Sequence, residues 1–248
     1  MAQFTAFQNI LPDPNNRISY SGSASSSDTG AALGPGWASV QLTSKQPVVQ
    51  NRTNSGRVVA RALAGHTWQI SINYNELTKA EFMPIYAFLI QKVGKLNPFF
   101  VALPQYQVAQ DSTFAAAMAG GTVIAVNETD PPAGRNYFLC AYTGNGSPRP
   151  GDIFTISDTS NTAHTKLYMV TRVETNTDYN SNVGAQPSTN SKIRIHFTPS
   201  LTYSVANGSA LDFTSPLVRV VNSSDTNQYN LKPNGLYSFN LKVEEAGV

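Results

Sequence analysis

Residues 56–104, GRVVARALAGHTWQISINYNELTKAEFMPIYAFLIQKVGKLNPFFVALP, run through a period-2 pattern and then a period-3.6 pattern with almost no spacer. That succession restricts the stretch to strand, turn, strand, capped helix, strand. Trp68, Ile70, Ile72 and Tyr74 alternate with Thr67, Gln69, Ser71 and Asn73, which puts the large apolar groups on one face of a strand. Thr78 and Glu81 have capping-box spacing, and Leu77 with Phe82 have that of a hydrophobic staple. Phe82, Ile85, Tyr86, Leu89 and Val93 then form one helical stripe, which Gly94 can terminate in the left-handed conformation. Pro84 lies too deep for the first turn, so the sequence predicts a missing backbone bond and a bend. PFFVALP at 98–104 reads as a short buried strand bounded by proline. The pattern specifies architecture and carries no chemistry.

The flanks divide the rest of the chain. Residues 1–36 begin with Phe4, Phe7, Ile10 and Leu11 and continue as SYSGSASSSDTGAALGPG, a run too poor in apolar surface to order by itself. The expectation is a flexible arm or linker. Trp37, Val40 and Leu42 open the first core strand. After Pro104 no helix signal is read, and the short apolar runs 120–126, 136–142, 152–156, 166–173 and 192–198 predict an all-β barrel or sandwich. The 175–191 loop is the longest between them, a length that usually marks function or disorder. SPLVRVVN at 215–222 and the alternation of Tyr237, Phe239, Leu241 and Val243 match the first part again. The expected fold is therefore mostly β with one principal helix (α+β): a sheet-plus-helix core from 37–105 and 213–248, interrupted by an inserted all-β domain at 106–212.

Composition narrows the function classes. Only 13% of the 248 residues are charged and the net charge is +2. Without a Lys/Arg run, nucleic-acid binding has no electrostatic footprint. No stretch approaches about eighteen consecutive apolar residues, so no membrane span is predicted. MAQFTAFQN lacks the basic region and hydrophobic core of a secretion signal, which points to synthesis in a cytoplasm. Cys140, flanked by Tyr137, Phe138, Leu139 and Tyr142, reads as a buried strand thiol rather than a nucleophile.

His66, His164 and His196 have no zinc-hydrolase spacing, and His196, alternating with Ile193 and Ile195, should face outward. TGNGSPRPGD at 143–152 lacks the helix that a phosphate cradle requires and reads as a hairpin connection. Asp111, Glu128, Asp130, Asp152 and Asp158 could furnish a glycosidase pair, but nothing singles out two of them. No catalytic, cofactor-binding or metal-binding residue is assigned, and no cofactor is expected.

Two groups of motifs resemble one family. Ser55, Gly56, Arg57, Arg61, Gly65 and Trp68 lead into an alternating strand; Leu77, Thr78 and Glu81 open a helix; Phe99, Val101, Leu103 and Pro104 form the returning strand. This order is similar to that in tail structural proteins of tailed bacteriophages, of the distal-tail or baseplate-hub type. PRPGDIFTI, KLYMVTRV, IRIHFTPSL, NGSALDF and YSFNLKVEEA resemble the inserted β-barrel and the common ending of the same proteins. The resemblance spans most of 55–246. It implies a non-enzymatic virion protein whose copies form a symmetric ring and connect other tail, baseplate or fibre proteins. The Ser/Gly-rich start and Pro84 depart from that pattern. A receptor- or carbohydrate-binding module is the alternative, with Tyr142, Tyr179 and Tyr203 as candidate sugar-stacking rings; a cell-wall hydrolase is a third reading.

Overall fold

The computed structural model describes residues 9–13, 17–18, 32–33, 35–63, 65–158, 160–184, 186–187, 192–214, 216–225 and 227–246. Most of the expected arm, including Phe4, Phe7 and the 19–31 stretch, lies outside these residues. The chain divides into two compact units, one from 1–101 with 219–247 and the other from 102–218.

The first unit starts with a two-residue antiparallel pair, β1 (Arg17–Ile18) and β2 (Ala32–Leu33). β3 (Trp37–Lys45), β4 (Val48–Arg52), β5 (Val58–Ala62) and β6 (Thr67–Tyr74) follow, then α1 (Lys79–Gln91) and β7 (Phe99–Ala102). After the second unit come β14 (Leu217–Asn222), β15 (Asn230–Leu231), β16 (Tyr237–Ser238) and β17 (Asn240–Glu245). Five strands form one sheet in the order β3-β6-β17-β14-β7. In β6 the alternation lands as expected, with Trp68, Ile70, Ile72 and Tyr74 buried. Leu241 and Val243 of β17 sit opposite Ile72 and Ile70, so the two strands bury one continuous apolar surface.

α1 begins where the cap motif places it. The Glu81 carboxylate accepts from both the N–H and the hydroxyl of Thr78 at 2.8 Å. Phe82, Ile85 and Leu89 are buried, and Pro84 sits inside the helix, half-buried. The stripe stops short of the expected Val93. That residue is 60% exposed with φ +52°, because the chain has already left the helix at Lys92 and turns through Gly94 at φ +61°. Phe82 stacks on Tyr237 with ring centroids 4.7 Å apart, and Phe88 meets Phe99 of β7 edge-on at 5.4 Å. Beyond β7, the Leu11 N–H donates to the Phe100 carbonyl at 2.8 Å, and Leu11 is fully buried. Residues 10 and 11 are therefore docked on a strand rather than part of a free arm.

The second unit contains β8 (Ala125–Val126), β9 (Tyr137–Ala141), β10 (Ile153–Ser157), β11 (Tyr168–Glu174), β12 (Lys192–Thr198) and β13 (Ala210–Asp212). They close into a barrel in the order β10-β11-β12-β9-β8-β13. Phe138, Phe154, Tyr168, Phe197 and Phe213 fill its interior with aromatic pairs 4.6–6.2 Å apart.

This unit is not all-β as expected from its sequence. α2 (Ser112–Ala119) is capped by Asp111, whose carboxylate accepts from the Phe114 N–H at 2.9 Å, and Phe114 anchors it by meeting Phe213 at 5.2 Å. Gly120 and Gly121 belong to the end of that helix, so the strand expected over 120–126 shrinks to two residues.

Candidate interaction surfaces

β3 and β4 on one side, and β5 and β6 on the other, make one long two-stranded ribbon. Its inner half, Trp37–Lys45 against Thr67–Tyr74, is built into the five-stranded sheet. Its outer half, Val48–Arg52 against Val58–Ala62, pairs among the described residues only with itself and turns at 53–57. The Leu63 N–H to Pro47 carbonyl bond of 3.0 Å continues the ladder between the halves.

Register places Val48 and Val58 on one face of the outer half, with Val49, Val59 and Leu63 on the other. All five are between 47% and 56% exposed. Arg52, Arg57 and Arg61 accompany them, and the outer half carries no acid. A two-stranded hairpin standing alone in water is marginal, and its apolar side chains here are uncovered on both faces. Such a ribbon is suited to being covered by another protein surface.

Most of the residues weighed for chemistry are held by structural partners. Asp111 caps α2 and pairs with Arg149 at 2.9 Å, and Glu128 pairs with Arg135 at 3.2 Å. Asp152, buried, accepts the N–H groups of Gln110 and Arg149. Burial pushes the Cys140 thiol well above its ordinary pKa, which suits an inert core residue. Among the described residues no group of three or more His, Cys, Asp or Glu side chains is spaced to hold a metal. His66 contacts Ser44 at 2.9 Å and packs edge-on against Trp68. Of the tyrosines considered for sugar stacking, Tyr142 is core, 3% exposed and bonded to the Asn145 carbonyl at 2.6 Å. Tyr179 and Tyr203 are each 37% exposed.

His164 belongs to a buried polar chain that the sequence reading does not join up. Its Nδ1 lies 3.4 Å from Asp158 and its Nε2 2.7 Å from the Tyr168 hydroxyl. His196 does project from the outer face of β12, opposite the core side chains Ile195 and Phe197, yet its side chain is only 15% exposed.

Burial lowers the pKa of both histidines, more than the neighbouring carboxylates of Asp158 and Glu174 raise it. An unfolded histidine takes up its proton near about pH 6.5, so below that pH the unfolded chain binds more protons than the folded one. The histidine contribution to barrel stability is therefore complete above about pH 6.5 and declines as the pH falls. Thermal melts by far-ultraviolet circular dichroism should show the second unit melting lower at about pH 5.5 than at about pH 7.5. A flat profile across that interval would contradict this reading.

Residues 27–106, which include the whole ribbon, α1 and β7, match the family model described as distal tail protein pb9, A domain, N-terminal. The distal tail protein pb9 of Escherichia phage T5 is 26% identical over 166 residues, covering 65% of this chain and 67% of that protein. Both comparisons support the resemblance to phage distal tail proteins read from the sequence motifs.

Proposed function

We propose, from this kinship, that the chain is a structural subunit of a tailed-phage virion, placed in the distal tail or baseplate, where copies close a symmetric ring that connects tail components. The observation that carries the ring is the outer ribbon at 48–63. It belongs to the part of the chain that matches the distal tail model, and it exposes valines on both faces. A cyclic assembly offers each copy a neighbouring surface on which to lay such an element. In this reading residues 37–105 with 213–248 form the sheet-and-helix core that builds the ring. The 106–212 segment supplies contacts to other tail, baseplate or fibre proteins. The work is geometric, and none of the carboxylates or histidines is assigned a reaction.

Negative-stain microscopy of the purified full chain, alone and with its tail partners, tests the proposal. Closed rings, or incorporation of the tagged chain into virions during infection, are the expected results. A chain that remains monomeric and never enters virions would sink it.

A further inference from the structure

β12 alternates as a barrel strand should. Ile193, Ile195 and Phe197 face the core, and Arg194 and His196 face the other way. That outer face would ordinarily be wet, yet Arg194 is 4% exposed and its partner Glu174, at the end of β11, is fully buried. The 175–184 segment covers them. The Glu174 carboxylate accepts the Asn180 N–H, the Tyr137 hydroxyl donates to the Val183 carbonyl at 3.2 Å, and a side chain added at Gly184 would come within 3.2 Å of Arg194.

The carboxylate is the hub. Arg194 reaches one oxygen at 2.6 Å, while Arg172 and His196 approach the other at 3.2 Å and 3.3 Å. Arg172 also reaches Asp178 within the segment. Asp178 pairs at the exposed rim, and Arg135 lies over the Tyr137 ring at 4.3 Å.

We infer that Glu174 is a latch that holds the 175–184 segment in a single conformation over the outer wall of the barrel. An ion cluster buried in this way is costly to assemble and costlier to leave half-made, so its registry role outweighs its net contribution to stability. The segment presents Thr177, Asp178, Tyr179, Asn180, Ser181 and Asn182 to solvent, in a preset shape. A contact surface ordered in advance loses less conformational entropy when a partner binds. The segment is thus a fixed part of the molecular surface despite its length and polarity.

Hydrogen–deuterium exchange of the full chain near neutral pH tests the latch. In Glu174→Gln, which keeps the shape and removes the charge, amides across 175–184 should exchange about tenfold faster or more, while β9 and β12 keep their protection. Because this variant leaves Arg194 buried without its anion, the double variant Glu174→Gln with Arg194→Met is the companion. It too should show a fast segment on a protected barrel. Wild-type protection of 175–184 in the double variant would overturn the inference. So would barrel amides accelerating in step with the segment in both variants, since the opening would then be global.

Discussion

Replacing Val49 and Val59 together with aspartate should abolish the proposed ring assembly while leaving the monomer as stable as the wild type. The two side chains share one face of the outer ribbon, at neighbouring register positions opposite Arg61 and Asn51, and are 55% and 53% exposed. Surface substitutions of this kind usually change stability by no more than about 0.5 kcal/mol. Covered by a neighbour, the same carboxylates would be stripped of water without a designed partner, a cost of several kcal/mol at each copy of a repeated contact. Analytical ultracentrifugation and virion incorporation report the assembly, and a urea titration reports the fold. Rings that persist in the double variant would show that this face of the ribbon is not the joint.

The largest effect on the fold itself is expected from Phe82→Ala. Phe82 is completely buried, with ring centroids 4.7 Å from Tyr237, 5.0 Å from Tyr229 and 5.7 Å from Phe239. Truncating a buried phenylalanine typically costs about 3–5 kcal/mol, because the cavity closes only in part. Both tryptophans, Trp37 and Trp68, lie in the first unit, so their fluorescence reports on the unit that holds Phe82. The urea midpoint seen by tryptophan should fall steeply, and Phe82→Leu should recover much of it. A change below about 1 kcal/mol would mean that α1 is held elsewhere.

Local patterns were the most readable part of this sequence. The β6 alternation and the Thr78 to Glu81 cap each depend on residues close together in the chain, so spacing alone reveals them. The readings that missed involve competition or distance. Val93 continues the helical stripe, but its position falls after Lys92 has ended the helix, and geometry overrides periodicity there. α2 is built on STFAAAMA, whose alanines give almost no hydrophobic stripe; its signals are the Asp111 cap and the closing Gly120 and Gly121. Tyr142 reads like any strand aromatic, and its place in the barrel core, against Phe114 at 5.5 Å, is set by packing. Glu174 and Arg194 are twenty positions apart and sit on a strand face that alternation marks as solvent-facing. Their meeting depends on barrel closure and on a covering segment, neither of which leaves a trace in local pattern. The ribbon could be read as strands, but the fact that among the described residues its outer half has no third strand beside it could not.

The sheet order has one more consequence. The chain leaves the first unit through β7 and returns through β14, and these two strands are adjacent in the sheet. The excursion through the second unit therefore begins and ends on two strands that hydrogen-bond to each other within one sheet. Among the described residues, the ladder that holds this sheet uses none of the barrel strands. The order of the sheet and the order of the barrel are thus set by separate ladders, neither borrowing a strand from the other.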